Sequence, residues 1–438
     1  MANVAEIDNA IWGLRASEVY VPLPFPDRVV IVASQVPTEA SGAISCNFAL
    51  MSGDDVLYSN DSGKSTVEIQ GQSSKLASKA NLKIKVKNAA KNKVSIRFGT
   101  WDESTSITFK GYGDIPAFTS AFDRSMVREA ISLELWRTIR RAHPAPYNRI
   151  GPWYAWSNKT LSLLTDAQFS CDCRAVSIYF QQAGDTTPQF HGVFMIRSDN
   201  TNGTYLIDDG NPKHYLLQPQ HGPADLWTND TYLSTAYWEY SSPDTPDTKA
   251  PARLINWIKS VMAGNASWGE YSQYINLQSW IDYKVFCEAT GSFDSITNNL
   301  MLVSYTASET QGIWSICAYD LDETYGSMSG YIAGCPPEKA GWVTDQDEVW
   351  KSFSEYFSGE IAARFADLRS SGVLSVEKLT DILTFYASRF RPADVIRDQQ
   401  LYGTNQISNY PYILNWYGQR LAWLEQQWAH SDALHPTF

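Results

Sequence analysis

Between Leu82 and Lys87 the chain alternates apolar and charged positions with a period of two. Leu82, Ile84 and Val86 fall on one side, and Lys83, Lys85 and Lys87 on the other. That pattern predicts a β-strand with one packed and one wet face. Arg28 to Ala33, Ala43 to Leu50 and Thr66 to Gln70 are further short strand candidates. Polar, glycine-bearing stretches at Met51 to Asp55 and Ser59 to Gly63 predict turns between them. Ala175 to Phe180 and Gly192 to Ile196 read as later strands, and Ser241 to Thr248 as a loop by its Pro and Asp content.

Elsewhere the period is 3.6. Asp123 reads as the N-cap of a helix over Arg124 to Arg141, with Met126, Ala130, Leu133, Leu135, Trp136 and Ile139 as its stripe and Pro144 as its stop. Leu254, Ile255, Ile258 and Val261 predict a second helix, and Ile275, Trp280, Tyr283, Val285 and Phe286 a third. After Gly326 the pattern is almost wholly helical, with stripes from Trp350 to Leu368 and from Leu379 to Phe390. Pro392 breaks it, and Ile413 to Ala429 reads as the last helix. The expected class is α+β. Residues 1–120 form a β-rich part, 121–335 a mixed and helical part, and 336–438 a helical extension packed on the second.

A chain of 438 residues exceeds one simple core. Its net charge of -12 repels phosphate backbones, which argues against nucleic acid as a partner. Lys75, Lys83, Lys85 and Lys87 read as solvated surface lysines. Six Cys without a CxxC pair, and with no His near Cys171 and Cys173, argue against a zinc site and for a reducing compartment or one indifferent to redox. The start lacks the basic and apolar regions of a signal peptide, and no apolar run approaches the roughly 18 residues of a membrane span. The expected locations are the cytoplasm, or an assembly released by lysis. Sixteen Trp fit a large core, an interface or a sugar-binding surface.

Two acidic signals carry the candidate chemistry. In the first, Asp294 precedes Asn299 by five residues. In the second, the apolar run Ile313 to Tyr319 ends in Asp320-Leu-Asp322 and then Gly326. Phosphoryl transfer on a protein-kinase scaffold uses an Asp to take or orient a hydroxyl proton, an Asn for metal, and a later Asp that bridges Mg²⁺ to the phosphates. Asp320 and Asp322 offer the hard oxygens Mg²⁺ prefers, and two aligned carboxylates repel unless a cation or proton separates them.

Further segments carry a family resemblance: Glu68 to Ser74 followed by Ser78 to Leu82, Ser125 to Arg128, His191 to Phe194, the two acidic blocks in order, and the tail Phe357 to Arg369. Together they resemble the CotH family of atypical, kinase-fold proteins, most of all those encoded by tailed bacteriophages. The resemblance implies a two-lobed kinase-like fold, β-rich in its N-terminal lobe and mostly helical in its C-terminal lobe. It implies Mg²⁺ and ATP as cofactors and protein Ser or Thr as acceptor. Asp294 would be catalytic, and Asn299, Asp320 and Asp322 metal ligands. Lys79 would meet phosphate, oriented by Glu129 or Glu134. Two departures stand out: Ser78-Lys79-Ala80 replaces the family's Pro-Lys-Lys, and the Glu of the strand after Gly192 has no match near Ile196, Arg197 and Ser198. The alternatives are a non-catalytic component of a phage particle (tail, baseplate or capsid-associated, partnered by other phage proteins or by its own copies) and a host-glycan adhesin. The virion or the host cytoplasm would be its location.

Overall fold

The computed structural model describes residues 22–431 except 72, 115–122, 143–168, 183, 209, 220–225, 229–237, 244–246, 328–341 and 404–408. The expected helix stop at Pro144 and part of the Ser241 to Thr248 loop lie outside these residues.

Seven strands close a barrel: β1 (Arg28–Ala33), β2 (Ile44–Ser52), β3 (Asp55–Gln70), β4 (Asn81–Lys85), β5 (Ser106–Lys110), β6 (Cys173–Gln182) and β7 (Gln189–Arg197), in the order β1-β2-β3-β4-β5-β7-β6. Closure comes from a parallel pairing of β1 with β6, so the barrel draws two strands from beyond residue 120. Its interior is apolar, with Val29, Ile31, Phe48, Leu50, Val67, Leu82, Ile84, Phe109, Ile178 and Ile196 buried. The β4 alternation appears as expected: Leu82 and Ile84 point inward, while Lys85 is exposed beside Glu68 at 2.7 Å. The expected turn at Ser59 to Gly63 is instead part of β3. A register shift against β2 lets the polar residues bond within the sheet, Asn60 Nδ2 donating to the Lys87 carbonyl at 3.0 Å and Gly63 N to Asn47 Oδ1 at 2.8 Å.

A second sheet has the order β11-β10-β8-β9, from β8 (Tyr215–Pro219), β9 (Trp238–Ser242), β10 (Leu300–Ser304) and β11 (Ser315–Ala318). The described helices are α1 (Arg128–Arg141), α2 (Lys249–Met262), α3 (Leu277–Thr290), α4 (Glu348–Tyr356), α5 (Ser358–Ser370), α6 (Val376–Ala387), α7 (Pro392–Tyr402) and α8 (Asn409–Ser431). Their buried residues join one apolar cluster with this sheet, and α7 also lies against β7 of the barrel. Among the described residues, no helix is long and apolar enough to cross a membrane.

Two helix boundaries differ from expectation for local reasons. α1 begins at Arg128, because Met126 adopts a left-handed φ of 61°. Asp123 still serves its N-terminus, accepting from the Arg128 amide at 2.8 Å and from the Arg128 guanidinium at 2.8 Å. Pro392 opens α7 rather than ending a helix, since proline fits the first helical turn, where its missing N–H is no loss. α7 docks on β7 through charge. Asp398 accepts from Lys79 Nζ and from the Val193 amide, each at 2.8 Å, and Tyr402 Oη donates to the His191 carbonyl at 2.6 Å.

The segment after β5, Gly111 to Asp114, lies against the backbone of Lys79. A Cβ on Gly113 would come within 2.5 Å of Lys79 N, so only glycine permits this approach. Gly113→Ala is expected to cost about 1–3 kcal/mol by overpacking, read as a lower urea midpoint.

His191 packs edge-on to Phe180 and face-on to Phe194. Burial, aided by the Lys79 charge, lowers its pKa from 6.5 to about 4. The unfolded chain therefore binds a proton that the folded chain refuses. Stability should fall as pH drops from about 6.5 toward 4. His191→Gln should flatten that part of a urea-midpoint profile.

Candidate functional site

The second sheet assembles the acidic residues. Leu300 of β10 pairs with Ala318 of β11 in an antiparallel register, and the Tyr319 amide reaches the Asn299 carbonyl at 3.3 Å. Asn299 and Asp320 therefore leave the sheet at the same end. Asp294, in the short turn Phe293–Ser295, accepts from Asn299 Nδ2 at 2.8 Å and from Asn298 Nδ2 at 3.2 Å. The expected Asp294 and Asn299 pair is thus one hydrogen-bonded unit. Burial, opposed by the two amides and helped by the charge of Asp320, raises the Asp294 carboxyl to about 6. Asn299 and Asp320 both hold left-handed backbones, with φ of 39° and 50°. Such conformations are costly outside glycine, although Asn and Asp tolerate them best, and they cluster at functional sites.

Asp320 is answered by two cations. Lys110 Nζ, at the end of β5, donates to Asp320 Oδ1 at 2.6 Å, and Arg197 Nη1, at the end of β7, donates to the same oxygen at 2.9 Å. Burial alone would raise the Asp320 carboxyl, but Lys110 and Arg197 outweigh it and hold its pKa down to about 2. Arg197 Nη1 also donates to Glu129 Oε1 at 2.9 Å, and Tyr112 Oη donates to the other Glu129 oxygen. Asp322 does not continue a strand from Asp320, because the positive φ of Asp320 turns the chain. It nonetheless sits within the same field. Burial, with Asp320 and Glu129 adding to it against Lys110, drives its carboxyl well above the usual range.

Lys79 is placed differently from expectation. It is 2% exposed, and its ammonium is spent on Asp398, the Val193 carbonyl and the rings of Phe194 and Tyr402. Burial lowers its pKa against the pull of Asp398. None of its ion-pair partners among the described residues is Glu129, Asp294 or Asp320. Glu129 pairs with Arg197 instead, and Glu134 with Arg137 and Arg141. The geometry therefore assigns the cation beside Asp320 to Lys110 and Arg197, which sequence reasoning did not single out. One signal was available for Arg197: the apolar strand Val193 to Ile196 runs straight into it, marking a charge at the edge of the core.

The donor set fits Mg²⁺. That ion uses one or two carboxylates and completes its shell with water and phosphate oxygens, so it needs no all-protein cage. Among the described residues no three His, Cys, Asp or Glu form such a cage. Asp320, half-buried, and Asp322 offer carboxylate oxygens. The carboxamide oxygen of Asn299 is not used in its bond to Asp294, which engages the NH₂ group. The crowding that raises Asp322 is what a divalent cation would relieve.

With these residues at one sheet edge, the family follows. The chain belongs to the CotH kinase protein family, whose profile matches residues 67–424, from within β3 to within α8. No curated protein matches the chain.

Proposed function

We propose that the chain transfers the γ-phosphoryl group of Mg-ATP to a protein Ser or Thr hydroxyl. In this reading the barrel is the N-terminal lobe of a two-lobed kinase-like arrangement, and the second sheet with its helices forms the C-terminal lobe. The observation that carries it is the β10–β11 register, which gathers Asp294, Asn299 and Asp320 at one edge facing Lys110 and Arg197. Asp294 orients the acceptor hydroxyl and takes its proton. Asn299, Asp320 and Asp322 supply oxygens to Mg²⁺, which neutralises charge on the phosphates when bound. Lys110 offers a point charge to a phosphate oxygen, the part first expected of Lys79.

Thermal unfolding with and without ATP and Mg²⁺ tests this. A ligand held only by the folded chain at about 100 times its Kd adds about 2.7 kcal/mol, a clear rise in Tm. The rise should vanish in Asp320→Ala. No rise at millimolar nucleotide would remove the proposal.

A second reading has its own support. Asp320 is already neutralised by Lys110 and Arg197, and Lys79 by Asp398, as in a kinase fold reused as a structural part of a phage particle. That reading predicts a flat nucleotide response and co-purification with other virion proteins or further copies of the chain. Trp136, Trp227, Trp238, Trp280, Trp314 and Trp350, the six Trp among the largest fully buried side chains, fill the core and form no sugar platform.

A further inference from the structure

Arg197 touches more of the site than any single expected residue. Its Nη1 bridges Glu129 on α1 and Asp320 beyond β11, its Nη2 donates to Tyr319 Oη at 3.2 Å, and its guanidinium lies 5.1 Å from the Tyr319 ring centroid. Its side chain is 5% exposed, and its Nε has no hydrogen-bond partner. Lys110 differs. Its side chain is 8% exposed, and its only ion pair among the described residues is with Asp320, which is 29% exposed.

The two cations are about equally buried but differ in how many charged groups hold them. Arg197 Nη1 reaches both carboxylates while Nη2 holds the Tyr319 hydroxyl, three groups on one planar guanidinium, whereas an ammonium is a point charge on a flexible stem. Pulling Arg197 away would leave Glu129, which is 0% exposed, without its cation. Lys110 can exchange Asp320 for another anion at the open side and leave the Arg197 bridge standing. Asp320 also holds a left-handed turn that needs support from outside its own backbone.

We propose that Arg197 is a positioning residue: it ties Glu129 to Asp320 and fixes the Asp320 turn, leaving Lys110 as the cation that moves to phosphate. The catalytic side of this assignment rests on the Mg-ATP reading above. The tether itself is a property of the free protein.

Hydrogen–deuterium exchange on the free chain, paired with calorimetric ATP binding in Mg²⁺, tests it in Arg197→Lys and Lys110→Met. Arg197→Lys keeps the charge but, with a shorter stem and one nitrogen, cannot hold both carboxylates and the Tyr319 hydroxyl. Its amides at Tyr319 and Tyr325, which donate to the Asn299 and Thr290 carbonyls, should exchange about tenfold faster or more, with β2 unchanged. Lys110→Met should leave those amides near the wild-type rate and weaken ATP binding about tenfold or more. Arg197→Lys should shift ATP affinity less than about threefold, its loss appearing in the transfer rate. Wild-type exchange at Tyr319 and Tyr325 in Arg197→Lys would overturn the tether, as would a rise spread equally over β2. A wild-type chain that binds no ATP would overturn the proposed function instead, while the exchange result would still decide the tether.

Discussion

Asp398→Ala is expected to destabilise the fold by about 3–5 kcal/mol, because it strips a buried charge of its partner. The side chains of Lys79 and Asp398 are both 0% exposed and 2.8 Å apart, and the Val193 amide donates to the same carboxylate. Removing the aspartate leaves an ammonium and an amide in an apolar setting beside Phe194 and Tyr402. Urea unfolding reads the loss. The double variant Lys79→Met with Asp398→Leu should recover part of it, since the apolar pair removes the stranded charge while the Val193 amide and carbonyl stay unpaired. A loss under about 1 kcal/mol in the single variant would show that the pair behaves like a surface bridge.

Under the proposed function, Asp294→Ala should lower phosphoryl transfer by about 10²–10⁴-fold, the usual contribution of a positioned base. Mg-ATP binding should survive, because Asp294 reaches the metal ligands only through the Asn299 amide. Radiolabel transfer compared with calorimetric binding separates the two effects. Equal loss of binding and rate would recast Asp294 as a support for Asn299 rather than a base.

Some of this was legible in the chain because the physics was local. A half-buried strand such as β4 writes its two faces as alternation, and amphipathic helices such as α2 and α6 write theirs as stripes. The spacing of Asp294 and Asn299 was readable because one short turn closes it. Elements packed through charge were not readable. α7 buries Asp394, Val395 and Asp398, so its inner face is two-thirds carboxylate and looks like a loop after a proline. Lys110 meets Asp320 across 210 positions, and no local pattern announces such a pairing. Lys79 stood out as the lysine of a family-like segment, yet its partner arrives 319 positions later. The barrel itself was readable as strands but not as a closed ring, since closure depends on β6 returning beside β1.

That last separation bears on how the protein is made. The barrel strands are all synthesised by Arg197, but the acid that settles the lysine beside them emerges two hundred residues later. Long-range pairings of this kind slow assembly and leave early segments waiting. During translation the nascent barrel must carry an unmatched ammonium until the ribosome has released α7, and only then can the ring set hard.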